Sequence, residues 1–335
     1  MALQEAIRLF DSKPIVAHLY VTDQCNLDCH YCNEYDNSSP HPELSDLKKY
    51  LQKIRELGVL RIGLQGGEPL LYPHIMEVIR YAKGLGFTKI SMSTNGFMLT
   101  EKVVRELEVA GLDVLQISVD RMTPLPSTRK SFKSIAPKLE LFKNSNLKVH
   151  ISGVLFENTL EEMEQVLDYS LQKGFAAHAR VVHEDLVKGK GVQVESQKPM
   201  QDFLELQEQR KKRGEKIHSS WNLIDYEKKM LKGEEVDWTC VAGYKYFFVS
   251  SKGEFWLCSQ VRTKKSIMDI TPEELKTYYH KKDCQKGCGV YCIVATSLLI
   301  NHRASFLARE LKGNLQSAWN RAFNPSLGNP EKAPS

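Results

Sequence analysis

The sequence predicts an α/β protein: a parallel sheet in its first part, and a smaller region with a β-hairpin and a helix in its second. From residue 14 to about 185, short apolar or β-branched runs alternate with longer amphipathic segments, the pattern of βαβ units. After residue 185 the alternation stops, and residues 244–257 place two aromatic-rich runs around a Ser-Lys-Gly turn. Hydrophobic residues make up 42% and charged residues 26% of the 335-residue chain, which excludes a disordered protein and is enough for a large core.

The first part contains six candidate strands and five candidate helices. The strands are predicted at 15–21, 60–65, 88–93, 114–119, 147–154 and 177–182, and the helices at 43–57, 73–85, 100–110, 130–144 and 159–173. Connections of this kind are right-handed, so the strands are expected to run parallel in one sheet. Periodicity alone allows either an open sheet or a partial barrel.

The second part has a different pattern. Residues 186–200 are polar and contain glycine, as linkers often do, and helices are predicted at 200–212 and 220–232. The hairpin at 244–257 follows, then a long helix from about 293 to 323 and a Pro/Gly/Ser tail that is expected to be flexible.

The net charge and the lack of targeting patterns limit the classes of protein that this sequence can represent. The formal net charge of +5 is spread thinly, which permits an anionic substrate but does not indicate nucleic-acid binding. The N-terminus lacks a signal-peptide pattern, and no apolar run approaches the ~20 residues of a membrane span. We therefore expect a cytoplasmic protein. In a reducing compartment, its eight cysteines indicate metal or redox chemistry rather than disulfides.

The first group of cysteines is Cys25, Cys29 and Cys32, spaced C-x3-C-x2-C in the loop after the first predicted strand. Three thiolates so close in sequence can hold a soft metal or an iron–sulfur cluster. Three ligands on a four-iron cluster leave one iron open to a non-protein ligand. A structural zinc site that uses His30 as its fourth ligand is the alternative.

This loop, with an aromatic residue (Tyr31) before its last cysteine, resembles the cluster loop of the radical S-adenosylmethionine (radical SAM) superfamily. The resemblance implies that a 4Fe-4S cluster on these three cysteines binds SAM through its unique iron. It also implies that one electron cleaves SAM to methionine and a 5′-deoxyadenosyl radical. The fold that it implies is a partial (βα)6 TIM-like barrel.

Three further loops strengthen the resemblance, each at the carboxyl end of a predicted strand, where α/β folds place their active sites. Gly-Gly-Glu-Pro after the second strand resembles the segment that contacts the SAM amino group. Ser-Thr-Asn-Gly after the third resembles the element near the SAM ribose and carboxylate, and Ser-Val-Asp after the fourth resembles the strand end that borders SAM and substrate. The cofactor-binding residues implied are Tyr31, Gly66, Gly67, Glu68, Pro69, Ser93, Thr94, Asn95, Ser118 and Asp120.

Arg180, near the end of the sixth predicted strand, is a further candidate. Its guanidinium could pair with an anionic group of SAM or of the substrate. An ordinary salt bridge is the alternative.

The second group of cysteines lies in the C-terminal part, with Cys240 and Cys258 spaced C-x12-G-x4-C around the hairpin. Cys284, Cys288 and Cys292 follow as C-x3-C-x3-C, a spacing that would put the last two on one face of a helix. A zinc ion held by four cysteines is the alternative. The hairpin spacing resembles the SPASM and twitch extensions of radical SAM enzymes, which implies one auxiliary 4Fe-4S cluster. Which of the last three cysteines complete its ligands stays open.

Together these patterns predict a radical SAM enzyme with a barrel core at 1–185, a helical linker at 186–235, a twitch-like auxiliary domain at 236–323 and a flexible tail at 324–335. We expect it to abstract a hydrogen atom from a small molecule such as a sugar, a lipid or a cofactor precursor, with a flavodoxin- or ferredoxin-type reductant. The first strand begins near residue 15, which favours a small substrate over a peptide. Peptide maturation with a separate leader-binding partner is the alternative, and a zinc-binding scaffold without catalysis is the alternative of another class.

Overall fold

The protein is built around one nine-stranded sheet. The computed structural model describes residues 3–32, 34–126, 128–182 and 197–323. The order of the strands across the sheet is β6-β5-β4-β3-β2-β1-β7-β8-β9. Their bounds are β1 (Val16–Tyr20), β2 (Arg61–Gln65), β3 (Lys89–Thr94), β4 (Val114–Ser118), β5 (Lys148–Leu155), β6 (Ala176–Val181), β7 (Tyr246–Val249), β8 (Glu254–Trp256) and β9 (Arg262–Ser266).

The α-helices connect these strands and continue beyond them. Their bounds are α1 (Leu3–Arg8), α2 (Leu44–Glu56), α3 (Ile75–Gly84), α4 (Glu101–Ala110), α5 (Phe132–Leu139), α6 (Glu157–Gln172), α7 (Gln197–Arg213), α8 (Trp221–Leu231), α9 (Pro272–Thr277), α10 (Tyr291–Asn301) and α11 (Arg303–Phe323).

The first six strands are parallel to one another, and the predicted fold class is confirmed. Every strand and helix predicted up to residue 185 is present. The largest difference is α5, which ends at Leu139 and continues as a 3-10 turn over Glu140–Phe142. The parallel arrangement brings the carboxyl ends of β1 to β4 to one edge of the sheet, and with them the loops that carry the predicted motifs.

The two faces of the parallel sheet differ in polarity. One face is apolar and fully buried, for example at Leu64, Ile90 and Ile117, as expected of strands covered by amphipathic helices. The residues that alternate with these are polar. They hydrogen-bond across neighbouring strands, as Gln65 Nε2 does to Ser93 Oγ (3.2 Å). This polar face is the inner face of the partial barrel.

The predicted hairpin is formed by β7 and β8, which are antiparallel, with Gly253 at the turn in the left-handed region (φ +78°). The structure adds a feature that the sequence did not reveal: β7 also pairs with β1, in parallel. The second part of the chain therefore extends the sheet of the first. A Cβ atom on Gly253 would lie 2.5 Å from the ring of Tyr50 in α2, so this turn requires glycine.

One prediction for the C-terminal region is wrong. The long helix expected from 293 to 323 is two helices, α10 and α11, which are interrupted at His302. The condition under which Cys288 and Cys292 would share one face of a helix is also not met. Cys284 lies in a 3-10 turn and Cys288 lies in a loop, and only Cys292 lies in a helix, the first turn of α10.

Some predicted features fall on residues that the structure does not describe. The tail at 324–335 lies wholly outside the described residues, as does most of the linker predicted at 186–200. In the described parts of the chain, no helix is both long and apolar enough to cross a membrane.

Candidate active site

The three cysteines of the first group lie in the loop that follows β1. Cys29 is buried, and Cys25 and Cys32 are half-buried. The Leu27 N–H donates to Cys25 Sγ (3.4 Å), which favours the thiolate form of that cysteine. Burial outweighs this and raises the pKa of Cys25 to about 11, so an isolated thiol here is protonated at neutral pH. A positively charged group bound to the sulfurs is therefore needed to make the loop a set of thiolates.

Gly66 and Gly67 allow the loop after β2 to pack against the cysteine loop. The Gly67 N–H donates to Thr22 O (3.0 Å), and the next N–H in the chain, that of Glu68, donates to Gln24 O (2.8 Å). A Cβ atom on Gly67 would lie 2.3 Å from Gln24 O, and one on Gly66 would lie 2.5 Å from Thr22 O. The two glycines thus fix the position of the residues that lead directly into Cys25.

Glu68 connects the loop after β2 to the loop after β3. Its carboxylate is buried and accepts hydrogen bonds from Thr94 Oγ1 (2.8 Å) and from the Asn95 N–H (2.7 Å). It also caps the 3-10 turn that begins at Pro69, by accepting from the Leu70 N–H (3.1 Å). Burial raises the pKa of Glu68, against the effect of these donors. The contact with the SAM amino group that the resemblance implies stays a prediction for Glu68.

Asn95 brings the loop after β3 to the cysteine loop. Its Nδ2 donates to Asn26 Oδ1 (2.7 Å) and lies 4.0 Å from Cys25 Sγ. Its Oδ1 accepts from the Phe97 N–H (3.0 Å), so the amide is held at both ends. The Ser-Thr-Asn-Gly motif therefore lies beside the first cysteine group.

Asp120 anchors the loop after β4 to the same place. Tyr31 Oη donates to Asp120 Oδ2 (2.5 Å), and the Val154 N–H donates to the other carboxylate oxygen (3.1 Å). Ser118, the last residue of β4, is half-buried on the inner face of the sheet. Tyr31 and Asp120 are thus joined directly, although 88 residues separate them in the chain.

Lys130 is the residue of this site that sequence reasoning missed. Its Nζ lies 3.3 Å from Asp120 Oδ2 and 4.8 Å from the centre of the Tyr31 ring. Burial raises the pKa of Cys29, and the positive charge of Lys130 opposes that shift. Asp120 was expected at a strand end, and a carboxylate buried there requires a cation, so the sequence did indicate that some lysine or arginine would lie nearby. Nothing in the sequence identified Lys130 as that residue.

The structure gives Arg180 a partner within the protein. Its guanidinium forms an ion pair with the fully buried carboxylate of Glu227 in α8 and lies 5.5 Å from the centre of the Tyr291 ring. Glu227 also accepts from the Val181 N–H (3.3 Å). Contact between Arg180 and SAM or a substrate stays a prediction, and the described contacts make Arg180 the link between β6 and α8.

The second group of cysteines also converges. Cys240, Cys258, Cys284 and Cys288 are close enough for the charge of one thiolate to raise the pKa of another. For Cys288, burial and these neighbours together raise the pKa to about 12. Cys292 is close enough to Cys258 and to the Tyr246 hydroxyl for both to affect its pKa, and the Tyr246 hydroxyl is itself hydrogen-bonded to His18 Nε2 (2.6 Å). The structure thus brings together all five cysteines that the sequence singled out.

Helices α8 and α10 contact β6, at one edge of the sheet, and the region around β7. Tyr291 Oη, at the start of α10, donates to Val181 O at the end of β6 (2.8 Å). The next residue, Cys292, lies close to Tyr246 of β7. Tyr226 Oη of α8 donates to Cys288 O (3.0 Å). The elements that carry the second group of cysteines therefore contact both β6 and β7.

An ion pair joins the two groups of cysteines. Arg262 Nη2 of β9 lies 3.2 Å from Glu34 Oε2, two residues beyond Cys32. The guanidinium stacks on Trp256, with 4.2 Å from its central carbon to the ring centre. Among the residues that the structure describes, no three His, Cys, Asp or Glu side chains meet in a geometry that would hold a single metal ion.

Residues 19–170 match the Radical SAM superfamily, and the matched region contains the first three cysteines and all three of the motif loops. This part of the chain is a radical SAM domain. Such a domain implies a 4Fe-4S cluster and SAM as cofactors.

Curated relatives of this chain include enzymes named for two different reactions. A probable GTP 3′,8-cyclase of Methanococcus maripaludis is 29% identical over 164 residues, which cover 47% of this chain and 55% of that protein. This chain thus spans about half the length of that relative. An AdoMet-dependent heme synthase of Methanosarcina barkeri is 25% identical over 272 residues, 71% of this chain and 74% of that protein.

Solved structures of two other proteins share the fold. SuiB of Streptococcus suis has a TM-score of 0.61 at 16% identity, over 82% of this chain and 67% of SuiB. The protein anSMEcpe with bound AdoMet has a TM-score of 0.59 at 19% identity, over 93% of this chain and 99% of that one. At these identities the likeness concerns the fold alone.

Proposed function

We propose that this protein reductively cleaves SAM at Cys25, Cys29 and Cys32 and that the resulting 5′-deoxyadenosyl radical abstracts a hydrogen atom from a small-molecule substrate. The observation that carries this proposal is the interlocking of four loops around the three thiols. The loops after β2, β3 and β4 each contact the cysteine loop or its Tyr31 through specific hydrogen bonds.

The residues at this site suit a 4Fe-4S cluster. Three thiols lie close together, and a 4Fe-4S cluster whose fourth iron binds SAM requires no fourth protein ligand. Lys130 supplies a positive charge that favours the thiolate of Cys29. When bound, the cluster supplies the electron that cleaves SAM. The chain itself orients the sulfurs through Asn95 and the glycine pair. By burying Cys29, it also limits access of water to the site.

We also propose that the second group of cysteines holds one auxiliary 4Fe-4S cluster. Five thiols in one region of the protein exceed the four that a closed cluster needs. Cys240 and Cys258 come from the two ends of the hairpin, and the remaining ligands come from Cys284, Cys288 and Cys292. Such a cluster would lie next to the barrel wall, at a place suited to accept an electron from a substrate radical.

The names of the curated relatives support a small-molecule substrate. One relative is named for GTP and another for heme, and both names refer to compounds much smaller than a protein. We propose oxidation or carbon-skeleton modification of such a compound, with a flavodoxin- or ferredoxin-type protein as reductant.

The test is SAM cleavage by the anaerobically reconstituted full chain with dithionite, measured as 5′-deoxyadenosine by liquid chromatography. Wild-type protein should form it, and Cys29→Ser should not. Ser45→Ala, at an exposed serine of α2, is the matched control and should retain cleavage. Undiminished cleavage by Cys29→Ser would overturn the proposal.

A further inference from the structure

Three histidines from distant parts of the chain meet inside the barrel. His150 of β5 and His218, which follows α7, stack with their ring centres 4.1 Å apart at an angle of 24°. His178 of β6 lies 5.7 Å from the first ring and 5.5 Å from the second. We call His150, His178 and His218 the histidine triad. It plays no part in the chemistry proposed for the two cysteine groups.

The triad has an unsatisfied polar atom. His178 Nε2 is hydrogen-bonded to Ser152 Oγ (3.2 Å), but its Nδ1 has no hydrogen-bond partner among the described residues, although the side chain is 92% buried. His150 Nε2 is paired with Gln116 Oε1 (3.1 Å). A buried polar atom without a partner is destabilising, so a ligand that bonded to it would gain free energy.

The charges around the triad are all positive. Lys89 of β3, Arg180 of β6 and Lys211 of α7 act on its rings, and among the described residues no carboxylate does. Burial and these charges lower the pKa of His150 to about 3. Each cation also has a carboxylate near it: Glu227 pairs with Arg180, Glu310 acts on Lys211, and Glu5 and Asp113 act on Lys89. None of these carboxylates acts on the rings, so the charges next to the triad are positive, which favours an anionic ligand.

The triad is accessible from the end of the barrel opposite the cysteine loop. His150 is the third residue of β5 and His178 is the third residue of β6, so both lie in the first half of parallel strands. His218 is exposed, as are Lys89 and Lys148, the first residues of β3 and β5. A small anion can therefore reach the exposed side of the triad, at His218, without passing the first cysteine group.

We propose that the histidine triad forms an oxyanion-binding site at the amino-terminal mouth of the barrel, which takes a carboxylate or a phosphate group. Imidazole N–H groups donate to the oxyanion, and Lys89 and Lys211 neutralise its charge. The three rings do not form a metal site, because no three candidate ligands in the described ranges have that geometry. This site is independent of the chemistry proposed at the cysteines.

The test observes the imidazole nitrogens by NMR in the reconstituted full chain labelled with ¹⁵N-histidine. Inorganic phosphate, phenyl phosphate and acetate are titrated separately at constant ionic strength and pH. The expected result is a saturable shift of the triad resonances with at least one of these probes. Tighter binding of phenyl phosphate indicates the end group of a larger molecule, and tighter binding of inorganic phosphate indicates a free anion.

Two variants and one control decide the outcome. His218→Ala changes an exposed side chain, so the fold should be retained, and His178→Phe keeps a ring in the buried position. Each should raise the dissociation constant of the best probe by about tenfold or more, the loss expected for one charge-assisted hydrogen bond. His74→Ala, at an exposed histidine next to α3, should leave it unchanged. The proposal is overturned if no triad resonance shifts, or if His74 responds as the triad does.

Discussion

Replacing Gly67 with alanine tests whether the close packing of the two loops positions the first cysteine group. The added Cβ atom would lie 2.3 Å from the backbone oxygen of Gln24, a separation that real Cβ contacts do not show. The loop after β2 must therefore move away from the residues that lead into Cys25. Moving it breaks the two backbone hydrogen bonds that Gly67 and Glu68 donate.

The cost can be worked out from these contacts. Two hydrogen bonds at about 1 kcal/mol each and an overpacking cost of about 1 kcal/mol give a loss of about 3 kcal/mol in the free energy of unfolding. For a chain of this size we expect the midpoint of thermal unfolding to fall by about 4 °C. The displaced loop should also fail to hold the SAM-binding cluster, so the iron content should fall from about eight atoms per chain to about four.

The assay combines iron content, 5′-deoxyadenosine formation and thermal unfolding after anaerobic reconstitution. Gly84→Ala is the matched control, because a Cβ atom there has no neighbour within 4 Å and the residue ends helix α3. That change should keep activity and raise stability by up to about 1 kcal/mol. If Gly67→Ala held a full complement of iron and cleaved SAM normally, the positioning argument would be refuted.

Three further changes test other parts of the site. Lys130→Met should lower iron binding at the first cysteine group and reduce stability by about 3 kcal/mol, since it leaves a buried carboxylate unpaired. Exposed Lys133→Met should do neither, as iron analysis and thermal unfolding would show. Arg180→Met should destabilise by about 3 kcal/mol at pH 8 in urea unfolding, and less as the pH falls, because burial raises the pKa of Glu227 and protonation relieves the unpaired charge. Adding Glu227→Gln should restore stability, and failure to do so contradicts the pairing. Cys258→Ser should lower the iron content from about eight atoms to about four without removing the SAM-binding cluster.

The part of the fold that the sequence predicted depends on local patterns. Strands such as β2 and β4 are short apolar runs, and the helices that flank them have clear amphipathic spacing. Both patterns can be recognised in a short stretch of sequence. The pairing of β7 with β1 depends on residues about 230 positions apart, which leave no local signal. The break between α10 and α11 at His302 has neither glycine nor proline to mark it.

The candidate site was predictable for a similar reason. Cysteine spacing and glycine pairs are sequence motifs, because the chemistry and the backbone geometry leave little choice of residue. Lys130 is a cation that several positions could have supplied, so its place became visible only when Asp120 and Tyr31 were seen together. The sequence identified Arg180 as a charged residue with a possible ligand or salt-bridge role. Its partner Glu227 lies in helix α8, and no local sequence pattern connects the two residues.

The contacts of α10 with β6 and with β7 couple two events that are usually treated as separate. Tyr291 and Cys292 are adjacent at the start of α10, the first hydrogen-bonded to the end of β6 and the second close to β7. Any group that binds to the second cysteines only in this arrangement stabilises these contacts by its own binding free energy. Loss of such a group through oxidation would therefore loosen the attachment of α10 to the sheet, so that the protein's resistance to proteolysis would report its redox history.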